Sequence, residues 1–163
     1  MKNYYLKQKV FSIRDSYNVY DENQNLVYYA CAKLFSLPRQ YKIYRGSDDS
    51  LLFTMKRRVF SFMPAYDLFD ASGREIANMR KQLAIFSNRI DIQSGDKSYN
   101  LEGNIWAHNF TISTPEKTVL NVKKKIISWG DTYEITIEDD SETDKLVAFV
   151  VMIDSIYHRR KSK

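Results

Sequence analysis

Apolar and polar positions alternate in six short segments of this chain. Tyr17/Val19, Tyr41/Ile43, Tyr66/Leu68, Ile90/Ile92, Phe110/Ile112 and Tyr133/Ile135 bracket Asn18, Lys42, Asp67, Asp91, Thr111 and Glu134. A period of two marks a strand with one buried face. Five of the segments follow a corner of one pattern: Val10-Phe11-Ser12, Leu34-Phe35-Ser36, Val59-Phe60-Ser61, Ile85-Phe86-Ser87 and Ile126-Ile127-Ser128, with Trp106 at the matching place in the remaining unit. A second strand-like run precedes each corner, at roughly Tyr4–Phe11, Leu26–Leu34, Leu51–Val59, Glu75–Lys81, Ser98–Gly103 and Thr118–Ile126. Turn formers separate the units at Asp21–Asn25, Gly46–Ser50, Asp70–Gly73, Ser94–Lys97 and Thr114–Lys117. A repeat of about 20–25 residues therefore predicts six hairpins, or twelve antiparallel strands, over residues 4–137.

The pattern changes after Asp144. The end of the chain reads DKLVAFVVMIDSIYHRRKSK, with its longest apolar run from Leu146 to Ile153. Ser141, Thr143 and Asp144 can cap a helix start, and His158, Arg159, Arg160 and Lys161 suit a helix end. The β-branched content also allows a buried strand, but the flanking caps favour a helix over about residues 142–159. Such a helix is apolar on every side and must be surrounded by protein. From Leu146 to Tyr157 it extends only ~18 Å, short of the ~20 apolar residues of a membrane span. A long meander hides its edges by closing on itself, and twelve strands leave a lumen that strand side chains cannot fill. The expected fold is mainly β: a twelve-stranded antiparallel β-barrel closed around a central C-terminal hydrophobic α-helix.

Composition narrows the picture. At 163 residues and 44% apolar content, one domain covering residues 1–163 is expected. The single Cys31 rules out an internal disulfide framework, and MKNYYLKQKV has no apolar leader core, so a cytoplasmic protein is expected. The net charge of +5 admits anionic partners without naming one.

The runs YLKQKVFSIRDSYNVYDENQNLVY, WAHNF and SWGDTYEI resemble the LURP-one-related family across essentially the whole chain. That family belongs with the Tubby C-terminal-like and phospholipid scramblase-like folds. The resemblance implies the same barrel around a central helix. Tubby domains bind phosphoinositides and scramblases move phospholipids, so it also implies, by analogy of fold alone, a phospholipid ligand. No Tubby phosphoinositide motif matches this chain position by position.

Hairpin alternation sends the two kinds of connection to opposite rims. The between-unit turns (rim B) are acidic. The within-unit corners (rim A) carry Lys56, Arg57, Arg58, Arg80, Lys81, Lys123, Lys124 and Lys125 beside Phe62, Met63 and Trp129. Cations with large apolar tips suit an anionic membrane surface, and these eleven residues are the lipid-binding candidates. The competing reading makes the aromatics barrel caps and the lysines solubilising charge. Asp139, Asp140, Glu142 and Asp144 suggest a cation site, but Lys145 and Val151 stand where a calcium loop needs glycine and glutamate. They are expected at a helix start in any case. His108 has no nucleophile motif beside it and is expected to be structural, as is Cys31 in its strand. Asp154, inside the apolar run, is expected either near the open rim or paired with a lysine or tyrosine. No catalytic residue, metal ligand, cofactor or specific nucleic-acid motif is identified. The expected function is non-enzymatic: a peripheral module on anionic phospholipid head groups at the inner membrane surface. The alternative is a structural or protein-interaction barrel with an unidentified protein partner.

Overall fold

A computed structural model describes residues 1–9, 16–33, 38–82, 89–127 and 130–157. Twelve strands are formed: β1 (Lys2–Lys9), β2 (Ser16–Tyr20), β3 (Leu26–Ala32), β4 (Gln40–Arg45), β5 (Leu51–Arg57), β6 (Ala65–Asp70), β7 (Glu75–Lys81), β8 (Ile90–Ser94), β9 (Lys97–Asn104), β10 (Asn109–Ser113), β11 (Thr118–Ile127) and β12 (Gly130–Ile137). Each pairs antiparallel with its neighbours in sequence, and β12 pairs with β1, so the sheet is a closed barrel without an edge. Register follows the alternation. Leu6 lies opposite both Val19 and Tyr133, Ile43 opposite Phe53, and Val122 opposite Ile135. The twelve alternating residues Tyr17, Val19, Tyr41, Ile43, Tyr66, Leu68, Ile90, Ile92, Phe110, Ile112, Tyr133 and Ile135 are all buried. Polar residues between them take the outer face.

A short 3-10 turn (Asp140–Glu142) leads from β12 into the helix α1 (Thr143–Tyr157). Every residue from Leu146 to Ser155 is buried, as expected for a helix apolar all round. Its neighbours come from around the wall. Tyr28 of β3 binds Asp144, the Tyr99 ring of β9 meets Phe149 edge-on at 5.4 Å, and Lys81 of β7 lies over Tyr157. Leu6, Phe110, Val122 and Tyr133, of β1 and β10–β12, line one small cavity together with Val150 and Ile153. The helix therefore occupies the barrel axis and shares one core with the strands.

The helix starts differently from the expectation. Asp139, not Ser141 or Thr143, caps the 3-10 turn by accepting from the Ser141 N–H at 3.1 Å. The Thr143 hydroxyl instead donates to the Asp140 carbonyl, because Thr143 already has helical dihedrals. Asp144 ties the first turn to the wall, accepting from the Tyr28 hydroxyl at 2.6 Å and from Arg45 at 3.0 Å. The helix end expected near residue 159 and the basic tail lie outside the described residues.

Candidate functional site: the basic rim and the barrel mouth

Since the wall is a meander, the corners β5–β6, β7–β8, β9–β10 and β11–β12 share one end, rim A. The end of α1 joins them, with Tyr157 edge-on to Trp106 of the β9–β10 corner at 5.1 Å. Lys56–Arg58 and Lys123–Lys125 thus stand at the same end of the barrel. They do not form one patch. Five strands separate β5 from β11 in either direction around the ring, so the two clusters face each other across the mouth. At ~4.8 Å per strand that is on the order of 20 Å.

The β5–β6 corner is the most exposed apolar feature. Val59 is 63%, Phe60 102% and Phe62 93% exposed, while Met63 is half-buried. The corner is held from below. The Arg58 N–H donates to the Ala65 carbonyl at 2.9 Å. Its guanidinium grips both Asp67 carboxylate oxygens through Nε at 2.8 and 2.7 Å, with Nη2 2.6 Å from Oδ1. Arg58 is therefore a staple rather than a loose cation. Lys56, on the outer face, lies over the Phe69 ring at 4.6 Å.

The other candidates divide between the two faces. Arg80 and Lys123 are exposed on the outer face, and Lys125 pairs with Glu134 at 3.2 Å. Arg57, Lys81 and Lys124 occupy inward-facing positions at the strand ends, where alternation would continue with apolar residues: Arg57 stands opposite Tyr66, Lys81 opposite Ile90 and Lys124 opposite Tyr133. The Lys81 ammonium sits 4.7 Å from the centre of the Tyr157 ring, whose hydroxyl burial pushes up to about 12. Trp129, with Phe35 and Phe86, lies outside the described residues.

His108 and Asp154 meet inside this end. His108 adopts a positive φ of 49° in the β9–β10 corner, and its N–H donates to the Ile105 carbonyl at 3.0 Å. Its Nε2 lies 3.0 Å from Asp154 Oδ1, and its ring stacks on Tyr133 at 3.7 Å. Both side chains are buried. Asp154 is thus buried rather than at the open rim, and in this contact it meets His108. The pairing joins residues 46 positions apart, and neither residue signals it alone. The pair pins the last turns of α1 to the corner, the structural role expected for His108. Cys31 is half-buried on the outer face of β3.

Rim B is acidic, and several of its carboxylates are committed to the fold. Asp21, Asp48 and Asp70 accept from Asn25, Ser50 and Ser72 within their own turns, and these hydrogen bonds lower all three carboxyls. Lys117 and Ser141 hold Asp139 well below the usual carboxylate range. Burial raises the Glu142 carboxyl, but Lys145, Tyr99 and Lys97 outweigh it and bring it to about 2. Among the described residues no cluster of His, Cys, Asp and Glu is arranged to hold a metal ion, and no helix is long and apolar enough to cross a membrane.

This barrel, closed on an axial helix and built of repeated hairpins, defines a structural class. The chain matches the LURP-one-related family over residues 2–154 and belongs to it. It is also similar to the uncharacterised protein YxjI of Bacillus subtilis (strain 168), with 24% identity over 154 residues, 94% of this chain and 93% of that protein.

Proposed function

We propose that the protein is a non-enzymatic peripheral module that docks rim A on anionic phospholipid surfaces at the inner face of the membrane. The carrying observation is the β5–β6 corner: Val59, Phe60 and Phe62 project into solvent beside Lys56 and Arg57, on a base fixed by the Arg58–Asp67 pair. Exposed aromatics at a rigid tip, flanked by cations, combine apolar insertion with attraction to anionic head groups. The facing clusters of β5 and β11 let the barrel stand on its end, with both sides of the mouth touching one plane.

Flotation with vesicles of neutral phosphatidylcholine, alone or with anionic phosphatidylserine, tests the reading. The wild type should float only with the anionic vesicles. The triple variant Lys123→Glu, Lys124→Glu, Lys125→Glu should lose binding, since each basic residue near the surface is worth about 1 kcal/mol. Equal flotation with both compositions, or none with either, would remove the membrane reading. A protein-interaction barrel would then remain.

A further inference from the structure

The barrel is open at rim B on one side of its axial helix. Lys2 of β1 holds Asp140, Tyr28 of β3 and Arg45 of β4 hold Asp144, and Tyr99 and Lys97 of β9 hold Glu142. These ties draw the start of α1 toward that part of the wall. A cleft of about 450 Å³ opens on the other side, over Phe53 of β5, Ile76 of β7 and Ser94 of β8. Ile76 faces it because the β6–β7 register slips between the Leu68–Ala77 and Phe69–Glu75 pairs, and the extra residue of a bulge is re-aimed. Phe53 and Ile76 stay half-buried although both pack against the core. The polar side chains above them present acceptors. The hydroxyls of Ser94, Ser141 and Thr143 give their protons to the Ile76 carbonyl, the Asp139 carboxylate and the Asp140 carbonyl. The carboxylates of Asp140, Glu142 and Asp144, which also line the cleft, only accept. The Lys145 ammonium is turned to Glu142 at 2.8 Å.

We propose that this cleft receives the β5–β6 corner of a second copy of the chain, so that barrels join head to tail. The corner complements the cleft and stands on the same molecule. Val59, Phe60 and Phe62 project from rim A with the exposed Arg57 at their base, and an exposed apolar patch of this kind marks a contact surface. The cleft has room for the two phenyl side chains over Phe53 and Ile76, with the rings offset or edge-on to Phe53. The Arg57 guanidinium carries N–H donors and no acceptor, which suits a margin of acceptors. Net charge does not select the partner, since Lys2, Arg45, Lys97 and Lys145 already balance the carboxylates. Tip and cleft lie at opposite ends, so each contact leaves one of each open and the assembly can grow. A buried phenylalanine contributes about 150–250 Å², so the tip supplies roughly 300–500 Å² of the 800 Å² per partner in a stable interface. Association is therefore weak and rises with concentration. The membrane reading uses the same corner, but the cleft contact does not rest on it: the two partners compete for one tip.

Sedimentation velocity of the full-length protein, over a concentration series reaching the millimolar range, tests the contact. The wild type should gain mass as concentration rises. Phe60→Ser with Phe62→Ser removes the tip, and Ile76→Lys spoils the floor of the cleft. Each should weaken association by about tenfold or more. Ser141→Trp, at the exposed margin of the cleft, blocks it from above and covers the case of a misfolded Ile76→Lys protein. Mixing the tip-less variant with either cleft variant should restore a single pair that grows no further, because each brings the half that the other lacks. Excess phosphatidylserine vesicles should disperse the wild-type assembly by capturing its tip, while Ile76→Lys should still float with them. Assembly that needs both tip and cleft but ignores vesicles would support the contact and remove the membrane reading. A wild type that stays monomeric throughout, an assembly unchanged in a folded cleft variant, or a mixture that forms no pair would overturn the contact and leave the membrane reading intact.

Discussion

Glu142 joins the start of the axial helix to the wall, and its protonation should loosen that joint. Its carboxylate accepts from the Tyr99 hydroxyl of β9 at 2.8 Å and from Lys145 at 2.8 Å, with Lys97 3.2 Å away. Burial opposes ionisation, but these three donors prevail and hold the group at about 2, against 4.5 for a free glutamate. A carboxyl lowered by folding stabilises the folded state above its unfolded value and loses that contribution as pH falls through its folded value. The window is therefore pH 4.5 down to about 2. At about 1.4 kcal/mol per pH unit the full linkage is roughly 3 kcal/mol, and solvent screening of a partly exposed group reduces it to about 1–3 kcal/mol. Urea melts of wild type and Glu142→Gln at steps from pH 6 to pH 2 would measure it. The wild type should be the more stable at pH 6, and the two proteins should converge as pH falls. Asp21, Asp48, Asp70 and Asp139 also titrate low, but they are common to both and cancel. A gap that stays constant from pH 6 to pH 2 would refute the assignment.

Phe149→Ala should cost about 3–5 kcal/mol, because Phe149 is fully buried on the barrel axis against Tyr99. Thermal melting should fall by about 2–4 °C per kcal/mol, and a shift under 3 °C would argue against an axial helix. Gly103→Ala should be far worse than Gly95→Ala. Gly103 has a φ of +116°, and an added Cβ would lie 2.6 Å from the Asn109 carbonyl oxygen and 2.8 Å from the Phe110 Cα, whereas Gly95 meets nothing within 4 Å. Expected losses are about 2–5 kcal/mol at Gly103 and about 1 kcal/mol at Gly95, read from paired urea melts. Equal losses would contradict the close approach of β9 and β10. Arg58→Gln should weaken membrane docking without removing a surface cation that contacts lipid, since Arg58 is engaged with Asp67. Steeper loss in Arg58→Gln than in Arg57→Gln would be the sign of a misplaced corner. A smaller loss in Arg58→Gln than in Arg57→Gln would show that the Arg58–Asp67 pair does not position the corner for docking.

Strand number, closure and the inner face were legible because one period governs the wall. Tyr17/Val19 and its five counterparts need only alternation to be placed inside, and an all-apolar segment after them needs an enclosure. The rims were legible to the level of which corners share an end. What lay beyond reach depends on side-chain geometry. Arg58 and Lys125 look like free cations in sequence, yet each has a carboxylate beside it, from β6 and β12 respectively. The His108–Asp154 contact joins a corner to the helix across 46 positions. Its only local hints were a histidine in a turn and a carboxylate in an apolar run. Asp139 took the capping role from Ser141 and Thr143 because a 3-10 turn shifted the true start of helical structure toward the strand.

Membrane docking through the β5–β6 corner is most directly tested by reading polarity at its tip. In a Cys31→Ser background, Phe62→Cys carries an environment-sensitive fluorophore at rim A, and Asp96→Cys carries the same label in the turn between β8 and β9 at rim B. Vesicles rich in phosphatidylserine should shift the emission at position 62 to the blue, as an apolar side chain enters the boundary between head groups and acyl chains. They should leave position 96 unchanged, and neutral vesicles should shift neither. A blue shift at position 96, or no shift at position 62 while the protein is bound, would contradict docking by rim A.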